Sequence, residues 1–242
     1  RADVRMRVIN VDGSEAEMCG NGARCVALYE AARDPSQKLG AGTRQATQVS
    51  RVTIETKAGV LSATVRAERV ALRMTNPTSL QLERTVRVGA KRIRFGFVDT
   101  GVPHAVVPVA SLGDVDVHRL GRALRYHRDF SPQGTNVNFI QADARRPNRL
   151  RIRTYERGVE GETLACGTGV TAAAIVHVLS ISNGHAAGSR RVDVETRSGD
   201  QLTVSFNVTS KGDTVRMREV VLEGPARRVF DGVVEWPLER VR

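Results

Sequence analysis

The chain has little of several things. Three cysteines in 242 residues are too few, and odd in number, for a disulfide scaffold. A reducing compartment, most simply the cytoplasm, is the expected setting. Aromatic residues total ten, and lysine occurs only at Lys38, Lys57, Lys91 and Lys211. No apolar run approaches the roughly 18–20 residues of a membrane helix, and the longest, from Ala172 to Leu179, is interrupted by His177. The opening RADVRMRV has no apolar core, so neither a signal peptide nor a membrane partner is expected. Neither C-x-x-C nor H-x-x-x-H spacing occurs, so no metal site is expected.

What remains is the composition of a soluble globular protein, 40% apolar and 26% charged, with a net charge of +11. A nucleic-acid surface would interleave clustered basic residues with aromatics. The densest basic stretch, Arg145, Arg146, Arg149, Arg151 and Arg153 around Pro147 and Asn148, lacks them. It reads as a solvated turn entering a strand, and no nucleic-acid partner is expected.

The chain is internally duplicated. Cys19-Gly20-Asn21-Gly22 recurs 147 residues later as Cys166-Gly167-Thr168-Gly169, each followed by small and apolar residues at helical spacing. RVTIETKAG at 51–59 recurs 140 residues later as RVDVETRSG at 191–199, with five of nine positions identical. The helices are expected to end near Arg33, before Asp34-Pro35, and near Ser182-Asn183-Gly184. Val52, Ile54 and Thr56 alternate as a strand does, and so do Val192, Val194 and Thr196. Lys57-Ala58-Gly59 and Arg197-Ser198-Gly199 read as hairpin turns. Gln37 to Ser50, polar and glycine-containing, reads as a mobile loop. The expected fold is α+β, two pseudo-symmetric domains, each with antiparallel strands wrapped around a central helix.

Each repeated cysteine precedes a helix. The first helical N–H groups have no internal partner, and the dipole places partial positive charge there. Such an end binds a carboxylate and lowers the pKa of a thiol. Two such cysteines facing one cleft fit a two-base proton transfer, in which a thiolate removes a proton from one face of a carbon and a thiol returns one to the other. Cys25, about 240° further round its helix from Cys19, is expected to be a buried small hydrophobe. A Cys19–Cys166 disulfide would be an oxidised, inactive form.

The segment Asn10-Val11-Asp12-Gly13-Ser14-Glu15-Ala16-Glu17-Met18-Cys19-Gly20-Asn21-Gly22-Ala23-Arg24-Cys25 resembles the first signature of the diaminopimelate epimerase family. Tyr155-Glu156-Arg157-Gly158, Gly161-Glu162-Thr163 and Ala165-Cys166-Gly167-Thr168-Gly169 resemble the second. Gly101-Val102-Pro103-His104, Asn136-Val137-Asn138-Phe139 and Phe230-Asp231-Gly232 resemble further family segments. The resemblance implies a cofactor-independent isomerase that interconverts LL- and meso-diaminopimelate, the lysine and peptidoglycan precursor. It implies Cys19 and Cys166 as the catalytic pair, with His104 and Glu156 tuning the thiol pKa values. It implies Asn10, Gly20, Asn21, Asn136, Glu156, Arg157, Gly167 and Thr168 as substrate contacts, and a homodimer through Phe230.

Two departures stand out. Val102 replaces an Asn common in the family, and only nine residues precede Asn10 where the family has several tens. The first half, 1–73 with 225–242, is therefore expected to be incomplete beside the second, 74–224. Weak or absent activity relative to a full-length homologue is the corresponding expectation. The alternatives are a proline racemase or hydroxyproline epimerase, which share the paired C-G-x-G helices, and a non-catalytic relative. YERG with GET and NGARC argue against the racemase reading.

Overall fold

The computed structural model describes residues 2–9, 13, 15–33, 49–184, 186–211 and 214–233. Its first half contains β1 (Val4–Arg5), β2 (Val8–Ile9), β3 (Glu15–Ala16), α1 (Gly20–Arg33), β4 (Val49–Thr56), β5 (Gly59–Arg66) and β6 (Arg69–Arg73). The second contains β7 (Thr78–Val88), β8 (Lys91–Asp99), β9 (Pro103–Pro108), α2 (Val117–Arg125), β10 (Asn136–Ala142), β11 (Arg149–Glu156), β12 (Gly161–Thr163), α3 (Gly167–Ile181), β13 (Gly188–Glu195), β14 (Gln201–Lys211) and β15 (Thr214–Pro225). The helix ends and hairpins lie where the sequence puts them. Of the loop expected over Gln37 to Ser50, Val49 and Ser50 belong to β4, and the rest lies outside the described residues.

One sheet runs through both halves in the order β1-β4-β5-β6-β15-β14-β13-β11-β10-β9-β8-β7, with β12 on the flank of β11. The repeated sequence block makes β4-β5-β6 the counterpart of β13-β14-β15. The two equivalent strands β6 and β15 pair antiparallel with each other, with Leu72 opposite Leu222. Pairing of equivalent elements with one another is what a two-fold relation demands, so this seam carries the pseudo-symmetry axis. The fold is thus the expected α+β duplication of strands around a helix, mostly antiparallel, with parallel pairs at β1–β4, β9–β10 and β11–β13.

Helices α1 and α3 are buried to different degrees. In α3, Val170 to Leu179 are all buried, and strands β7–β11, β13 and β14 surround it. Burying Ile175 and Leu179 contributes roughly 1.5–3 kcal/mol each. A second apolar layer, including Phe95, Leu124, Phe139 and Tyr155, fills the other face of the sheet under α2. Helix α1 lies on β4, β5 and β6 and buries only Gly20, Ala23, Arg24, Ala27 and Ala31. Cys25, expected inside, is exposed together with Tyr29, because both face away from those strands.

The halves meet where the helices begin. A Cβ on Gly167 would lie 3.3 Å from the Gly20 Cα and 3.0 Å from Leu222 Cδ2, whereas one on Gly20 would meet ordinary contacts at 3.5 and 3.6 Å. Both glycines follow their cysteines, so close approach of the backbones brings the two C-G-x-G turns together. Gly167→Ala should therefore cost about 1–3 kcal/mol by overpacking, and Gly20→Ala should be near neutral. Urea unfolding of the two variants checks the difference.

Candidate active site

Beside the seam lies a cleft of about 300 Å³. The second half lines it with Asn136, Glu156, Arg157, Cys166 and Thr168. The first half contributes Glu15 to Met18, which lead into Cys19, and Lys57 at the tip of the β4–β5 hairpin. Val102 also lies on its wall.

The two sulfurs have different surroundings. Cys19 is half-buried, and its Sγ accepts a hydrogen bond from the Gly22 N–H at 3.4 Å, one of the free amides of the first turn of α1. Cys166 is buried at the N-cap of α3, with Sγ 3.4 Å from Thr168 Oγ1. Its thiol is pushed up to about 12, chiefly by burial and then by the Glu156 charge, against the opposing help of Thr168 and the Gly169 N–H. The expectation that the helix end would lower this thiol is therefore not met. Partial charges at one helix end are outweighed by desolvation of a whole anion and by a carboxylate neighbour. Burial also raises Glu156, with Thr163 opposing.

His104 is fully buried behind the cleft. Asn138 Nδ2 donates to its Nδ1 at 3.0 Å and to the Ala105 carbonyl, while Asn138 Oδ1 accepts from Thr154 Oγ1 at 3.0 Å. That amide orientation makes Nδ1 the acceptor and leaves the proton on Nε2, which has no partner among the described residues. Burial, then Arg157, depresses the ring to about 3. His104 therefore stays neutral at physiological pH and can influence the site only as a fixed N–H donor. Gly169 is required beside it, since a side chain there would collide with Asn138.

The other expected contacts are distributed unevenly. Asn136 is buried at the cleft; its Oδ1 accepts from the Arg157 N–H at 2.8 Å, and its Nδ2 donates to the Pro103 carbonyl. Arg157 is half-buried and donates to the Gln133 carbonyl at 3.2 Å, with donors of its planar fork unpaired among the described residues. Gly20, Gly167 and Thr168 form the two helix starts. Asn21 is exposed, and its Oδ1 accepts from Arg24 at 2.9 Å. Asn10 lies outside the described residues.

Arg24 escaped notice in the sequence. It is buried, and its guanidinium spans the Gly20 carbonyl, Asn21 Oδ1 and the Pro225 carbonyl at the end of β15. It thereby ties the first turn of α1 to the strand at the seam. Among the described residues no carboxylate pairs with it. Its place in N-G-A-R-C was the only available signal.

The family model described as diaminopimelate epimerase matches residues 1–80 and 96–229. The chain belongs to the diaminopimelate epimerase family. It is 41% identical to diaminopimelate epimerase of Aquifex aeolicus, over 95% of this chain and 74% of that protein. The counterpart from Chlorobaculum tepidum is 38% identical over 96% of this chain and 80% of its own length. Solved structures with the same fold include a probable proline racemase from Agrobacterium radiobacter, with a TM-score of 0.70, 18% identity, and coverage of 99% of this chain and 74% of that one. A phenazine biosynthesis protein of the PhzF family from Bacillus anthracis superposes with a TM-score of 0.64 at 18% identity, over 93% of this chain and 78% of that one. Membership makes the chain an isomerase of the cofactor-independent, two-cysteine amino-acid epimerase class. Among the described residues no group of three or more His, Cys, Asp or Glu is placed to hold a metal, and no helix is long and apolar enough to cross a membrane.

The titrations have readable consequences. With its folded pKa near 3 against an ordinary 6.5, His104 is protonated more readily in the unfolded chain. Stability should therefore fall as pH drops from about 6.5 toward 3, by a few kcal/mol. His104→Gln should flatten that limb in urea melts across this range. At pH 8, iodoacetamide should label the exposed Cys25 and spare Cys166, as peptide mapping would show. Rapid labelling of Cys166 would contradict the desolvated thiol.

Proposed function

We propose that this epimerase interconverts LL- and meso-diaminopimelate through proton transfer between Cys19 and Cys166. The reading is carried by one observation: two C-G-x-G helix starts in contact through Gly20 and Gly167, with a cleft beside them that Glu156, Arg157 and Asn136 help to line. Cys166, buried and protonated, enters as the neutral thiol. Cys19, whose Sγ accepts the Gly22 N–H, takes the role of the base. Cys19 takes the α-proton from one face. The electron pair passes into the substrate carboxylate as an enediolate, and Cys166 delivers its proton to the opposite face. The carbon is inverted, and the sulfurs have exchanged roles.

The enediolate forms where both helix starts present unpaired N–H groups, so developing charge meets donors already in place. The Glu156 charge favours the protonated thiol at Cys166 before transfer. Arg157 and Asn136 line the cleft, and Arg157 would pair with a substrate carboxylate there. His104 and the Asn138–Thr154 chain hold the wall behind the α3 turn. Val102 offers no side-chain hydrogen bond, so either its backbone serves there or one contact is lost.

In the same reading the enzyme is a cytoplasmic homodimer, and exposed Val229 and Phe230 provide apolar surface for a second copy. The halves, 1–73 with 225–242 and 74–224, divide at the β6–β15 seam.

Epimerisation followed by chiral chromatography tests the proposal, with diaminopimelate and proline offered in parallel under reducing conditions. Turnover of diaminopimelate alone is expected. Cys19→Ala and Cys166→Ala should each lower it by at least about 10³-fold, as for loss of a member of a catalytic unit. Turnover of proline instead would overturn the substrate assignment.

A further inference from the structure

Each cysteine is reached through a short segment with few attachments. β3 has two residues and precedes Cys19; β12 has three and precedes Cys166. Both segments are held by the same duplicated device. In the first half, the Ala58 N–H at the β4–β5 hairpin tip donates to the Glu17 carbonyl at 3.1 Å, two residues before Cys19. In the second, the Ser198 N–H at the β13–β14 tip donates to the Leu164 carbonyl at 3.1 Å, two residues before Cys166. The neighbouring tip residues are both basic. Lys57 Nζ donates to the Glu15 carbonyl at 3.2 Å, and Arg197 Nε lies 3.6 Å from Glu162 Oε1.

Glu15 and Glu162 each stand four residues before a cysteine, and an arginine from the adjoining strand region grips each carboxylate with two donors. Arg7 holds Glu15 at 3.1 Å on both oxygens, and Arg153 holds Glu162 at 2.7 Å on both. The second grip is the tighter and less exposed. The Arg153 and Glu162 side chains are 20% and 17% exposed, against 62% and 29% for Arg7 and Glu15. Arg153 also donates to the Leu112 and Val115 carbonyls, anchoring the clamp to the second half's core. These arginines draw both carboxyl groups below the usual range, so the clamps remain charged through neutral pH.

We propose that Glu15 and Glu162 are paired positioning residues, each locking the segment entering a cysteine to an arginine and a hairpin tip and so setting where its sulfur stands at the seam. The proposal rests on the two-cysteine reading above. Neither carboxylate touches the reacting carbon in this account. Their effect is geometric, and sub-ångström placement matters because a misplacement of 1 Å can cost about a hundredfold in rate.

The test uses two readouts in a Cys25→Ser background. One is kcat and KM for diaminopimelate epimerisation. The other is the rate of oxidant-driven Cys19–Cys166 disulfide formation in the free protein, which needs no substrate and demands close sulfur geometry. Glu162→Gln should lower kcat and the disulfide rate about tenfold with KM within about threefold, and Glu15→Gln about threefold, since exposed ion pairs hold less firmly. The exposed first clamp allows a charge swap: Arg7→Glu combined with Glu15→Arg should restore both rates to within about twofold of the parent, whereas Glu15→Arg alone should not. Unchanged rates in both folded Gln variants, or a loss that the swap leaves uncorrected, would overturn the proposal. Should Glu162→Gln fail to fold, the Glu15 set decides. Should the parent not turn over diaminopimelate, the substrate reading falls while the disulfide rate still judges the clamps.

Discussion

Everything in this molecule that resembles a catalyst depends on two glycine backbones touching. Gly20 and Gly167 meet beside the Leu72–Leu222 pair, and Gly167 could not carry a side chain at that approach without displacing the other turn or Leu222. That contact fixes the spacing of the two helix starts and therefore of the two sulfurs that precede them. The continuous sheet supports the contact from beneath through β6 and β15, and Arg24 supports it from the side. The duplicated sequence is thus an economical way to build a site. One supersecondary unit brings one sulfur at one helix start, and a two-fold seam brings the second helix start against the first.

The symmetry is geometric and not electrostatic. Cys19 sits half-buried with an amide hydrogen on its sulfur, while Cys166 is enclosed and has Glu156 for a neighbour. Desolvation defeats the helix dipole at Cys166 because burying a full charge costs more than partial charges return. A neutral thiol opposite a more exposed sulfur suits a reaction that begins with one proton between two groups. His104 follows the same rule: burial keeps it neutral, with its Nε2 unpartnered among the described residues.

Much of this was legible in the sequence. The paired C-G-x-G turns gave both helix starts, because glycines beside a cysteine and a helical apolar run leave few other conformations. The alternating Val52, Ile54 and Thr56, with their counterparts Val192, Val194 and Thr196, gave the strands that cover the helices. Other features depend on what surrounds a residue, which spacing does not encode. Cys25 lies on the outer face of α1, and the strands behind that helix cover only the opposite one. The thiol of Cys166 responds to how completely α3 is enclosed. Asn21 carries its amide to Arg24, and Arg24 reaches a carbonyl 201 residues away in sequence. The clamps on Glu15 and Glu162 depend on Arg7 and Arg153 reaching across from neighbouring segments, which spacing does not encode either.

The central claim is that two sulfurs act on opposite faces of one carbon. Isotope distribution at low conversion tests it most directly. LL-diaminopimelate is incubated in D₂O with reduced enzyme, and product and recovered substrate are separated and analysed by mass. The account expects deuterium at the α-carbon of the inverted product from the first turnovers, while recovered LL isomer remains almost free of it. Deuterium entering recovered substrate as fast as product, or product that retains the original proton, would show a single base serving both faces and would contradict the account.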